Sequence, residues 1–144
     1  MSAGRAGVLL DTCAAIWLMS GSLQERVLED ILAVAAEGGL YVSPISAWEI
    51  GMLSRPRPSH AVLPQFLPDA KTWFADLVKK PGVRVAPLTT DIAIDASHLP
   101  GVVHNDPADR LLIATARNMR LSIVTRDAKI IAYGAEGHLN VIAC

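Results

Sequence analysis

Cysteine is nearly absent from this 144-residue chain: Cys13 and Cys144 are the only two, and neither stands in a metal-ligand spacing. A disulfide framework and a thiolate zinc site are both excluded on that count. No apolar run approaches the roughly 18 residues a membrane span needs, and the N-terminus lacks the basic-then-apolar layout of a signal peptide. The expected location is therefore cytoplasmic, with no membrane association. Charge of one sign is also missing, since 13 basic residues face 14 acidic ones. A polycation that coats nucleic acid is excluded, so any nucleic-acid chemistry must come from a local site.

What is present is apolar. Hydrophobic residues make up 51% of the chain and the mean hydropathy is +0.35, which excludes disorder and suits an α/β fold whose central strands are covered on both faces. Residues 1–144 fit one domain of ordinary size, burying about 68% of the unfolded chain's surface.

Hydrophobic periodicity predicts strands at Val8–Leu10, Tyr41–Ser43, Val83–Ala86 (buried), Leu121–Thr125 and Leu139–Ile142 (an edge). Helices are predicted over Ala14–Met19, Leu23–Ala36, Ile45–Leu53, around Trp73–Val78, around Ile92–Ala96, over Ala108–Met119 and over Ala128–Ala132. The proline-rich stretch Ser54–Pro68 reads as an arm anchored by Val62, Leu63, Phe66 and Leu67. Alternation of short strands with helices predicts a mostly parallel sheet of four or five strands in three α/β/α layers. Cys144 is expected to be loosely held.

Wound sheets bind ligands beyond the carboxyl ends of their strands. Asp11 follows the first strand, Asp127 the fourth; Glu49 lies one turn inside a helix after the second, and Asp109 in the first turn after Pro107. Four carboxylates from four connections would repel one another unless a cation compensates. All-oxygen ligation favours Mg²⁺ or Mn²⁺ over Zn²⁺. One or two such ions suit phosphodiester hydrolysis, whose transition state gathers charge on oxygens. Each acid also has a plain structural role open to it: Asp106, Pro107 and Asp109 match N-cap, N1 and N3, Ser46 and Glu49 share that spacing, and Asp11 and Asp127 can cap turns. A phosphoryl-transfer or receiver-like domain is disfavoured, because no paired acid follows Asp11 and no late lysine fills the expected role.

The segments Leu-Leu-Asp-Thr-Cys, Ser-Ala-Trp-Glu-Ile-Gly, His-Asn-Asp-Pro-Ala-Asp-Arg-Leu-Leu-Ile-Ala-Thr-Ala and Ile-Val-Thr-Arg-Asp together resemble the PIN-domain family, and more narrowly the VapC-type toxins of bacterial toxin–antitoxin pairs. The resemblance runs from about Val8 to Ile142. It implies a divalent-metal-dependent endoribonuclease that cuts tRNA or ribosomal RNA by water attack, leaving 5′-phosphate and 3′-hydroxyl ends. Asp11, Glu49 and Asp109 would be metal ligands, with Asp127 a fourth acid acting directly or through water. Thr12, Asp106 and Thr125 would support them. A small VapB-like antitoxin and a homodimer are the implied partners; a catalytically weak RNA- or protein-binding module is the alternative.

Among basic residues, Arg55 and Arg126 are the expected RNA contacts, with Arg57 beside Arg55 on the arm. Arg110 has the alternative of pairing with Asp106 or Asp109, and Arg117 of facing solvent. His104 is read as organising Asp106 or touching substrate. Trp17, Trp48 and Trp73 are expected in core or interface packing, and Val27, Ile31, Trp48 and Trp73 mark the candidate interface helices.

Overall fold

A computed structural model describes residues 7–56, 66 and 68–144. Its elements are β1 (Val8–Leu10), α1 (Thr12–Ser20), α2 (Glu25–Ala36), β2 (Leu40–Val42), α3 (Pro44–Leu53), α4 (Ala70–Lys79), β3 (Val83–Val85), α5 (Thr90–Ser97), α6 (Pro107–Met119), β4 (Ser122–Thr125), α7 (Ala128–Ala135) and β5 (Val141–Ala143). The five strands form one sheet in the order β3-β2-β1-β4-β5, and every pairing is parallel.

Period-two alternation of side chains divides the core between the two sheet faces. Val8, Leu10, Val42 and Val124 pack with α1, α2 and α4 through Ala14, Val27, Ile31, Trp73 and Leu77. Leu9 and Ile123, from the same strands, face the other way onto α6 and α7 through Leu112, Ile113, Ala116, Ile130 and Tyr133. The result is the three-layer α/β/α arrangement that the sequence pattern predicts.

β3 is the exception. Arg84 and Val85 are exposed and only Ala86, just past the strand, is fully buried. The expectation of a buried strand fails because β3 is an edge. It is seated by Gly82, whose φ is +80° and whose position leaves no room for a Cβ, which would stand 1.7 Å from the Ala35 carbonyl oxygen of α2. Cys144, expected to be loose, is buried against the first core cluster. Val27, Ile31 and Trp73 are core residues of the helices expected at an interface; Trp48 is 57% exposed, so it packs in no core. Of the arm, Phe66 is buried and meets Trp73 edge-on at 5.6 Å. Arg57, Val62, Leu63 and Leu67 lie outside the described residues.

Strand order sets where a ligand can enter. The chain winds outward from β1 through β2 to β3, then returns to β4 on the other side of β1 and continues to β5. The switch lies between β1 and β4, and the crevice beyond their carboxyl ends is where Asp11 and Thr125 emerge.

Candidate active site

Asp11, Glu49, Asp109 and Asp127 line one groove of about 440 Å³, together with Thr12, Cys13, Trp17, Asp106, Leu112 and Arg126. Four connections thus bring these acids to one groove. Two of these four, together with the neighbouring Asp106, also take up the capping role that was the structural alternative. Asp11 Oδ1 accepts from the Ala14 amide at the start of α1, Asp106 Oδ1 from the Asp109 amide at α6, and Asp127 Oδ1 from the Lys129 and Ile130 amides at α7. Capping and site membership are compatible: three helix N-termini open onto the groove, and their unpaired amides and positive dipole ends favour negative charge there.

The wall from β1 and α3 is dry. Asp11 is 7% exposed, and its second oxygen accepts from the Thr125 hydroxyl, which in turn accepts from the Asp127 amide. One hydroxyl therefore ties Asp11 to the turn carrying Asp127. On α3, Ser43 is the N-cap and accepts from the Ile45 amide, so Ser46 is not the cap suggested by its spacing from Glu49. Ser46 is instead wholly buried, 2.9 Å from the Thr12 hydroxyl, which donates to Glu49 Oε1 at 2.6 Å. A hydroxyl has one proton, so Thr12 serving Glu49 accepts the proton of Ser46. Sequence reasoning missed Ser46 as a site residue; the signal was its i, i+3 placement on the helix face that carries Glu49.

The wall from α6 is wetter and differently bonded. Asp109 does not complete a capping box, because its carboxylate turns to His104, whose Nε2 donates to Oδ2 at 2.7 Å. His104 thus organises Asp109 and not Asp106. Arg110 pairs with neither acid: its Nε donates to the Ala96 carbonyl at 2.9 Å and its Nη1 stands 3.4 Å from the carbonyls of Val103 and His104. Arg117 donates to the His138 carbonyl at the opposite end of the sheet. Arg126 borders the acids yet forms no ion pair with them; its guanidinium lies 3.8 Å over the Trp17 ring and its Nε donates to the Cys144 carbonyl at 2.9 Å. Arg55, exposed at the end of α3, contacts Met52 Sδ at 3.4 Å and does not line the groove.

Electrostatics reflect the crowding. Burial pushes the carboxyls of Asp11, Glu49 and Asp109 above the ordinary carboxylate range. The hydroxyls and His104 pull down, while neighbouring acids push further up: Asp109 and Asp127 on Asp11, Asp109 and Asp106 on Glu49, Asp106 and Asp127 on Asp109. Carboxyls raised by burial and, secondarily, by neighbouring acids are those that a cation would relax. Among the described residues no three His, Cys, Asp or Glu side chains close on a single point. The donor chemistry nevertheless fits a hard divalent cation: all oxygen, partly dehydrated and held at a common groove. Closing round an ion requires side-chain adjustment by the partly exposed acids Glu49, Asp109 and Asp127.

The PIN domain family model matches residues 8–136. The chain is 30% identical over 123 residues to Ribonuclease VapC22 of Mycobacterium tuberculosis (strain ATCC 25618 / H37Rv), a match covering 85% of this chain and 88% of that protein. Its fold is similar to chains in VapBC2 from Rickettsia felis bound to a promoter DNA fragment (TM-score 0.65, 12% identity, 94% of this chain and 97% of that one). It is likewise similar to a chain of FitAcB from Neisseria gonorrhoeae (TM-score 0.62, 20% identity, 94% and 96%). With the acids of four connections gathered at the switch point of a parallel sheet and the family pattern spanning nearly all of it, this chain belongs to the PIN domain family, on its VapC-type branch.

Proposed function

We propose that the chain is the toxin of a toxin–antitoxin pair, a single ribonuclease domain over residues 1–144 that hydrolyses RNA phosphodiester bonds with Mg²⁺ or Mn²⁺. The observation that carries this reading is the convergence of Asp11, Glu49, Asp109 and Asp127 on one groove, three of them with raised carboxyls. Asp11, Glu49 and Asp109 would hold the ion, and Asp127 would complete the set directly or through water. A divalent ion in this position supplies charge neutralisation for the phosphate and acidifies the attacking water.

The chain's own groups orient the reaction. Thr125 keeps Asp11 fixed relative to the Asp127 turn, and Thr12, backed by Ser46, keeps Glu49 turned inward. Arg126 is the basic side chain bordering the acids, and its stacking on Trp17 holds it back from collapsing onto them. Its charge is then available to an RNA phosphate, in keeping with the planar, delocalised character of guanidinium. Arg55 is an outlying RNA contact at the end of α3. Attack by water, without recourse to the ribose 2′-hydroxyl, yields 5′-phosphate and 3′-hydroxyl ends.

A VapB-like antitoxin and a second toxin copy are the proposed partners, since the relatives of this fold include VapBC complexes and Trp48, Met52 and Leu32 leave apolar area exposed. No described helix is long and apolar enough to cross a membrane, and a cytoplasmic site of action on tRNA or ribosomal RNA is proposed. The competing reading, a catalytically weak binding module, draws on the absence, among the described residues, of three acids already closed on one point. Incubating antitoxin-free protein with total cellular RNA in Mg²⁺, Mn²⁺ or EDTA, beside Asp11→Asn, separates the two. Discrete cuts that vanish with EDTA and in the variant are expected. Cleavage indifferent to both would sink the metal mechanism.

A further inference from the structure

His104 lies in the connection between α5 and α6, outside both helices, so neither element fixes its ring. Arg110 fixes its backbone instead. The Nε edge of that guanidinium donates to the Ala96 carbonyl of α5 at 2.9 Å, while Nη1 reaches the Val103 and His104 carbonyls at 3.4 Å. A planar fork with several fixed donors suits such a bracket, and a lysine could not span it. The bracketed His104 then donates from Nε2 to Asp109 Oδ2 at 2.7 Å. Because Asp109 and Arg110 are consecutive in α6, the ring and its bracket share one helical turn as their reference.

The arrangement answers an electrostatic problem. Asp109 is repelled by Asp106 and Asp127, and its side chain is only partly buried, at 22% exposure. Unrestrained, it gains by turning outward to water. Its carboxylate accepts from no backbone amide among the described residues, so no capping duty holds it. His104 supplies the restraint through Oδ2, and Oδ1 bonds no described residue, which leaves it for the groove.

We propose that His104, bracketed by Arg110, is a positioning residue that fixes the Asp109 carboxylate and thereby sets how tightly the groove takes a divalent cation. This rests on the metal reading of the acids. Residues that orient a ligand in this way carry about 10- to 100-fold in metal affinity, and His104→Ala is expected to weaken Mn²⁺ binding about tenfold. His104→Gln places an amide N–H close to where Nε2 stood and restores most of the affinity. In an Asp109→Asn background, His104→Ala has no further effect, because the group it orients is already gone.

The experiment is calorimetric titration of MnCl₂ into the metal-free, full-length chain without RNA, for wild type, the two His104 variants, Asp109→Asn and the His104→Ala/Asp109→Asn double variant. A tenfold loss, rescue by Gln and non-additivity with Asp109→Asn support the proposal. Wild-type affinity in His104→Ala, equal loss in Ala and Gln, or simple additivity each overturn it while leaving the metal reading intact. No Mn²⁺ binding by the wild type overturns the metal reading and this proposal with it.

Discussion

The two walls of the groove hold their acids by different means. On the β1/α3 side, Asp11 and Glu49 are locked by the hydroxyls of Thr125, Thr12 and Ser46, with Asp11, Thr12, Ser46 and Thr125 all buried. On the α6/α7 side, Asp106, Asp109 and Asp127 stand at helix starts nearer to water, held by backbone amides and by His104. Hydroxyl locks in a dry wall give rigidity at the cost of desolvating charge, whereas caps at helix ends give charge stabilisation with freedom to adjust. A site proposed to admit a cation and then a long anionic substrate would benefit from one of each: a fixed reference and an adaptable partner.

The largest expected effect lies on the dry wall. Asp11→Asn keeps an oxygen for the Ala14 amide yet removes a charge, and we expect cleavage to fall by about 1,000-fold, the scale of several kcal/mol of lost charge stabilisation. Single-turnover RNA cleavage measures it; a fall no larger than that of Asp127→Ala would erase the distinction between the walls. Thr12→Val comes next. It leaves Glu49 and Ser46 without their shared partner, so stability should drop by about 1–3 kcal/mol in urea unfolding, with reduced cleavage alongside. Asp127→Ala removes an N-cap and should cost about 1 kcal/mol, with a milder loss of activity than Asp11→Asn.

The smallest effect is a pH dependence. Asp11, Glu49 and Asp109 have raised carboxyls in the folded state, so the folded chain binds more protons than the unfolded one between the ordinary carboxylate values and the raised ones. Stability of the metal-free protein therefore falls as pH rises through that window and is flat above it. Thermal melts in EDTA across the acidic range should show this slope, and Asp11→Asn should flatten it. A slope of opposite sign would mean the acids are already compensated.

The sequence made the fold legible because strand and helix periods alternate cleanly: all five strands and seven helices fall within a few residues of their predicted places. It misjudged β3, since a short apolar run reads alike on a central strand and on an edge. Asp11, Glu49, Asp109 and Asp127 were legible as strand-end and helix-start carboxylates because parallel topology forces such junctions together. Ser46 was not, because a serine three residues before a glutamate at a helix start reads equally as a cap, and only Ser43 taking that role frees it. The partners of His104 and Arg110 were not legible for a similar reason: the acids nearest in sequence were among the alternatives for both, whereas the fold brings backbone carbonyls to Arg110 and turns the His104 ring to Asp109. Arg126 was expected near RNA, but its Trp17 platform comes from a different helix and left no local trace.

Metal capture by both walls is the central claim, and crystals grown or soaked with MnCl₂ and measured at the manganese edge test it most directly. The account predicts an anomalous peak inside the groove about 2.0–2.2 Å from oxygens of Asp11, Glu49 and Asp109, with the α6 wall having moved more than the β1 wall to reach it. An ion-free groove at saturating Mn²⁺, with the acids still bonded only to their hydroxyls, amides and His104, would contradict it.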